Sequence, residues 1–426
     1  QAARDYAESG NYEEAVAILA QCTEEKPMLY YYKGYYLHCM GSTTEAKAVY
    51  ETAETCSPLY CFPNKLEDIA VLKDAIAACS DGAKAYYYLG NLYYDKLQFD
   101  RAVALWEESE KRDDSFPTVH RNLAIAYYNK KKDPARAQEE LERAYELDET
   151  DARVFLELDQ LYKKLEVPFE QRIQNYEKHP EVIEERDDVR IEYITLQNLL
   201  GNYKKAYESI MSHTFRPWEG AEGKITTQYK IALLEMAKEC IDVKEYGQAK
   251  DYLEKALRYP ENLGEGRLEG TKDNHIYYYL GICNKALGKE QEAHGYFERA
   301  SLGDIEPAGV MYYYDQPADM ILYQGLAKRE LGKEKEARSR FFKLLDYGEQ
   351  HLNDEMRIEY FAVSLPDFLI FEDDLNRKNK AHCWYLMGLS SLGLGELQKA
   401  EGFFDKALSY DANHQNALIY RKMTLK

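Results

Sequence analysis

Trp384-Tyr-Leu-Met387-Gly388-Leu-Ser-Ser-Leu-Gly-Leu-Gly395-Glu-Leu-Gln-Lys-Ala400-Glu-Gly-Phe-Phe404-Asp-Lys-Ala407 is the stretch that decides the fold. Large and small residues share one helical face up to Gly388, and Gly395 supplies a turn. Ala400, Phe404 and Ala407 then place a small, a large and a small residue on a second helical face. This is the pattern of two antiparallel helices packed closely. Small residues at the crossing let the backbones approach, large ones fill the adjacent hole, and a Gly ends the first helix in the left-handed conformation.

The same arrangement recurs. Leu280, Gly281, Gly288, Ala293, Phe297 and Ala300 make one copy, and Leu89, Gly90, Tyr93, Ala102 and Trp106 another. Three more are marked by Gly325, Gly332, Ala337 and Phe341, by Gly34, Gly41, Ala46, Tyr50, Ala53 and Pro58, and by Ala124, Tyr127, Ala137, Leu141 and Ala144. Weaker copies surround Ala15, Ala206 and Ala249. Gly90 is expected to face Ala102 at its crossing. The pattern resembles the tetratricopeptide (TPR) repeat. One such hairpin cannot bury its apolar face alone, so neighbours must stack. The expected fold is all-α: a TPR-type α-solenoid, a right-handed superhelix of helix–turn–helix repeats. N-terminal repeats are expected over residues 1–80, central repeats over 81–186, and repeats with insertions over 187–426. Residues 61–80 read as helical but off-pattern, and Pro168 and Pro180 break the register of 167–188.

Composition excludes several functions. The net charge of −20 over 426 residues opposes nucleic acid and anionic lipid, both of which need clustered Lys and Arg. Mean hydropathy is −0.63 and no apolar run is long enough to span a bilayer. The opening Gln1-Ala-Ala-Arg-Asp-Tyr reads as a helix entered midway, as expected of a piece of a longer polypeptide. The 8 cysteines lack metal-ligand spacing. Cys22, Cys39, Cys283 and Cys383 fall in helical patterns as small buried residues, so a reduced, cytoplasmic protein is expected.

Four insertions separate repeats in the second half: residues 214–224, 260–274, 303–319 and 347–376. From Lys84 onward the chain resembles the C-terminal TPR array of large bacterial proteins that carry an N-terminal galactose-mutarotase-like β-sandwich domain of unknown function. The resemblance rests on Tyr88-Leu-Gly-Asn-Leu-Tyr-Tyr-Asp95, Phe116-Pro-Thr-Val-His-Arg-Asn-Leu-Ala124 and Arg216-Pro-Trp-Glu-Gly220. It continues in Tyr259-Pro-Glu-Asn-Leu-Gly-Glu-Gly266, Tyr312-Tyr-Tyr-Asp-Gln-Pro317 and Tyr360-Phe-Ala-Val-Ser-Leu-Pro-Asp-Phe368. It implies a bacterial setting, a connection with carbohydrate, and a sandwich domain upstream.

No catalytic motif is present. Gly220-Ala-Glu-Gly-Lys224 followed by Ile225 fails the phosphate-loop spacing, and Gly264, Gly266 and Gly270 fail the dinucleotide one. Carboxylates such as Glu219, Glu222, Glu261 and Glu265 are expected neighbours in a chain with 75 acidic residues. No enzyme activity and no cofactor are therefore expected. Two binding surfaces are. In a TPR hairpin, the first-helix positions offset from the packing face would place Tyr31, Tyr35 and His38, then Tyr87, Asn91 and Tyr94, then Arg121 and Tyr128, in a groove. Tyrosine, of which the chain has 39, offers a flat apolar face and a hydroxyl at low entropy cost. Asn91 and Asn122 resemble the carboxylate-clamp pair of chaperone adaptors, but Tyr87, Ala152 and Leu156 stand where the clamp needs cations. The second surface gathers insertion residues: Trp218, Glu219, Glu261, Asn262, Asn274, His275, Tyr313, Asp315 and Gln316. Rings mixed with short carboxylates and amides suit a sugar. They equally suit loops that close on each other, with Trp218 as a core plug and Asn262 or Asp273 as helix caps. The expected partner is a protein or peptide with basic residues, possible also as the upstream domain; the alternative is a carbohydrate-binding or enzyme-completing module.

Overall fold

The computed structural model describes residues 1–218, 220–310, 317–357 and 370–425, all in helices and connecting loops. The chain divides into two compact units, Gln1–Leu161 and Tyr162–Lys426.

Unit 1 is built of antiparallel pairs. They are α1 (Ala2–Glu8) with α2 (Tyr12–Ala20), and α3 (Pro27–Cys39) with α4 (Thr43–Thr55). A lone α5 (Leu66–Ala78) follows, then α6 (Lys84–Asp95) with α7 (Phe99–Glu110). The next pair is α8 (Pro117–Ala126) with α9 (Pro134–Leu147), and α8 ends in a π-helical turn over Tyr127–Lys131. Helix α10 (Ala152–Lys164) closes unit 1, and its last turn begins unit 2.

Unit 2 opens with α11 (Phe169–Lys178) and α12 (Pro180–Glu185), each started by the proline expected to break the register. Five pairs follow: α13 (Asp187–Leu199) with α14 (Tyr203–Met211), α15 (Lys224–Asp242) with α16 (Tyr246–Ala256), α17 (Asn274–Ala286) with α18 (Glu290–Ala300), α19 (Ala318–Glu330) with α20 (Glu334–His351), and α21 (Leu375–Leu394) with α22 (Leu397–Tyr410). Helix α23 (Gln415–Met423) ends the chain. No helix of the described residues is long and apolar enough to cross a membrane.

One contact repeats through both units. The first helix offers a glycine and the second, 16 residues on, lays an aromatic ring upon it: Tyr50 on Gly34, Trp106 on Gly90, Phe297 on Gly281, Phe341 on Gly325 and Phe404 on Gly388. A Cβ at Gly90 would stand 2.5 Å from the Trp106 ring, with the Ala102 carbonyl next at 3.2 Å. The ring, rather than Ala102, is therefore what that glycine makes room for. First helices turn back through left-handed residues, Gly10, Gly41, Gly201, Gly288, Gly332 and Gly395, with Leu97 (φ 59°) and Lys244 (φ 65°) at equivalent places.

The cysteines divide differently from expectation. Cys283 and Cys383 are buried in helices, but Cys22 lies beyond the end of α2 and, like Cys39 on the last turn of α3, is exposed. Cys56 and Cys61, in the α4–α5 connection, are buried, and all eight are free thiols.

Candidate binding surfaces

On the first-helix side of unit 1 the expected groove residues are mostly engaged with one another. Tyr31 lies in the core, 0 % exposed, its ring edge-on to Tyr88 at 5.8 Å. Its hydroxyl donates to Glu54 Oε1 at 2.6 Å. Glu54 also accepts from the backbone N–H groups of Lys84 (2.7 Å) and Ala85 (3.1 Å), so a carboxylate from α4 caps the N-terminus of α6. Burial, with Glu54 beside it, pushes the Tyr31 hydroxyl well above the ordinary phenol range. Tyr87 is buried too, edge-on to Phe116 at 4.8 Å. Asn91 Oδ1 accepts from Trp106 Nε1 and from Asn122 Nδ2, each at 3.0 Å. Arg121 makes a two-pronged bond to the buried Glu157 at 2.5 and 2.6 Å, which Arg153 joins at 3.0 Å. Tyr35, Tyr94 and Tyr128 are half-buried; Tyr94 packs between Phe99 (5.0 Å) and Trp106 (5.2 Å). His38 is exposed and bonds Asp74 at 2.7 Å. Asn91, Tyr87 and Arg121 thus belong to one band across α6, α8 and α10, while Tyr31 belongs to the core.

In unit 2 the first-helix side is occupied from within. Tyr420 of α23 donates to Asp319 of α19 at 2.9 Å. The amides of Gln415 and Gln228 bond each other reciprocally at 2.9 and 3.0 Å. Asn413 accepts from Arg172 and donates to the Lys163 carbonyl, both at 3.0 Å. The last helix is thus held by α15 and α19, and the turn before it by the stretch that opens its own unit. No sequence motif announced this closure, because its partners lie 101 to 250 residues apart.

Two insertions clasp each other. The Asn262 side chain donates to the carbonyls of Ile210 and His213, each at 2.8 Å, and the Asn262 carbonyl accepts from Phe215 N at 2.8 Å. Gly264 sits against Phe215 and Pro217, and Glu265 accepts from Gly223 N at 2.9 Å. Glu261 beside them is exposed. Asn274 uses the same device one repeat on, donating to Ala300 O (2.8 Å) and Leu302 O (2.7 Å). His275 is buried, and burial with Lys230 and Lys238 nearby holds its imidazole well below the usual range, hence neutral. Buried Asp273 stands at the N-cap position of α17 between Lys230 (3.4 Å) and Arg267 (2.7 Å). Glu219, Tyr313, Asp315 and Gln316 lie outside the described residues.

What the clasp leaves outward is Trp218, 38 % exposed. Beside it a cleft of about 530 Å3 runs along the α12–α13 junction, with Glu184, Glu185, Arg186, Asp187 and Asp188 on one side and His213, Thr214, Arg216 and Trp218 on the other. Asp187 ties the walls together: it bonds His213 Nε2 at 2.7 Å and accepts from Arg216 N at 2.8 Å. Arg186 holds Asp188, and Arg190 holds Glu184.

Residues 87–152 and 381–414 match the tetratricopeptide repeat family. Tetratricopeptide repeats are thus shown over α6–α9 and α21–α22. Among solved structures, the chain is similar to YrrB, a TPR protein with an unusual peptide-binding site: 14 % identity, 54 % of this chain and 90 % of that one, TM-score 0.30. It is also similar to the Naa15/Naa10 structure bound to HypK-THB: 14 % identity, 100 % of this chain and 62 % of that one, TM-score 0.34. A tetratricopeptide repeat protein from Parabacteroides merdae is a third, at 14 % identity over 71 % of this chain and 98 % of that one, TM-score 0.27.

Proposed function

We propose that this chain is a non-catalytic TPR scaffold that binds a partner protein, and that the cleft beside Trp218 receives a basic side chain of that partner. The observation that carries the reading is an exposed indole on a loop clasped from below. Phe215 and Ala221 of the same insertion are buried, while the Trp218 ring is 38 % exposed. An indole beside four carboxylates, of which Asp188 pairs with Arg186, Glu184 with Arg190 and Asp187 with His213, offers a cation a π face and the negative charge that those pairs leave over. Exposed tryptophans in preformed pockets are also where binding energy concentrates. The net charge of −20 favours a basic partner at longer range. In unit 2 a peptide on the first-helix side would have to displace α23, which further favours the cleft.

The test is titration with Lys- and Arg-rich peptides against acidic ones of equal length, read by tryptophan fluorescence and calorimetry. Binding of the basic peptides is expected to weaken with salt and to fall roughly tenfold or more in Trp218→Ala. Affinity unchanged by that substitution overturns the assignment of the cleft. An isolated sandwich domain of the kind that the sequence resemblance implies belongs in the same titration as a candidate partner within a longer chain. An indole beside Arg216 and carboxylates also suits an oligosaccharide. Salt-independent binding of a glycan, lost in Trp218→Ala, would put a sugar in place of the peptide.

A further inference from the structure

In the pair α8–α9, which the π-helical turn lengthens by a residue, Leu141 fills the core position that an aromatic ring takes in other pairs, and Glu140 stands beside it. Its carboxylate is buried, and so is His120 on α8; Glu110, on the last turn of α7, is half-buried and reaches solvent. A buried carboxylate is costly unless it meets a cation.

We infer that Glu110, His120 and Glu140 form a binding site for a divalent metal ion of the zinc class. One ligand atom from each residue lies within 4.8 Å of the others. His120 Nε2 donates to the Asp114 carbonyl at 2.8 Å. That bond fixes the ring with Nδ1 turned toward the two carboxylates, where a proton on Nδ1 is donated to Glu140 and a metal ion would take that proton's place. A backbone carbonyl holding the far nitrogen is the usual support of a metal-bound imidazole. Nδ1 stands 2.7 Å from Glu140 and 4.0 Å from Glu110.

A proton on Nδ1 balances Glu140, while a divalent ion in its place would also balance Glu110, which is half-buried and reaches solvent. Arg136, which also approaches Glu110, is committed to Glu107 at 3.5 Å and to the Tyr127 ring at 4.1 Å. Three protein ligands from imidazole and carboxylates, with Glu110 open to water for a fourth, is a donor set suited to zinc. The ligands come from α7, α8 and α9, so the ion would staple two neighbouring repeats.

The experiment strips the whole chain with a chelator, then titrates Zn2+ by calorimetry and follows thermal unfolding with and without it; Co2+ serves as the visible probe. Expected are a single equivalent, a rise in Tm, and a cobalt spectrum showing nitrogen and oxygen ligands. Glu110→Gln, at the half-buried ligand, should weaken binding roughly tenfold or more while leaving the metal-free Tm in place. His120→Gln should abolish binding if it folds. Zinc taken up equally by wild type and both variants would belong to the free cysteines and overturns the site, as does no uptake at all.

Discussion

The ring of Phe297 rests on the backbone of Gly281 so closely that a Cβ there would stand 2.5 Å from its Cε1. Ring and glycine come from the two helices of one repeat, and neither can shift without opening the pair. Gly281→Ala is expected to destabilise the chain by about 1–3 kcal/mol through overpacking. Gly402→Ala is the control. Gly402 is also inside a helix but has nothing within 4 Å of its missing Cβ, so alanine there should stabilise by about 1 kcal/mol. Urea unfolding midpoints of the two variants should move in opposite directions.

Leu97 offers a gain. It holds φ 59° where α6 turns back to α7, a place that glycine takes in most other pairs, and its side chain is 72 % exposed. A non-glycine residue in that conformation costs about 1–2 kcal/mol, of which glycine's extra unfolded-state freedom returns about half. Leu97→Gly should therefore stabilise by about 0.5–1 kcal/mol. A lower urea midpoint in the variant would contradict the strain argument.

The repeated contacts were legible because they are local. Gly388 and Phe404 lie within one hairpin, and Pro168 and Pro180 start helices by their own covalent geometry. Which ring of a tyrosine run faces inward was not. Tyr31 is buried by Tyr88 and Glu54, residues of later elements, so its burial depends on packing that periodicity within α3 does not contain. Asn262 and Asn274 carried the signal of a sugar site, amides beside rings. Amides also satisfy helix-end carbonyls, and Asn262 does so toward Ile210, 52 residues away. The loop that carries Trp218 is bonded by that amide at His213 and by the Asp187 carboxylate at Arg216.

That dependence is testable. Asn262→Ala removes two side-chain bonds to partly buried carbonyls and should cost about 2 kcal/mol. The loop of Trp218 would loosen before the unit unfolds. Fluorescence quenching by acrylamide should rise in the variant at low denaturant, because the other tryptophans, Trp106 and Trp384, lie in separate pairs. Unchanged quenching would mean that Asp187 and Phe215 hold the loop without the amide.

Acid should weaken unit 2 through its buried imidazoles, and His382 gives the cleanest reading. It is 2 % exposed, and its Nε2–H donates to the Ala308 carbonyl at 2.9 Å, a bond the neutral ring makes. Burial, and to a lesser extent His414, hold its pKa down to about 4, against about 6.5 for a free imidazole. Between these values the unfolded chain takes up a proton that the folded chain refuses. The contribution of His382 is therefore whole above about pH 6.5 and is lost as pH falls toward 4. From pH 7 to pH 5 the loss is about 2 kcal/mol by this linkage. His275 and His414, also buried and held down, add in the same direction. His382→Gln keeps a donor for Ala308 but cannot titrate. The difference in unfolding free energy between pH 7 and pH 5 should shrink by about 2 kcal/mol in that variant and persist in part through the other two rings. An equal pH 7-to-5 difference in wild type and variant would mean that His382 reaches solvent in the folded chain.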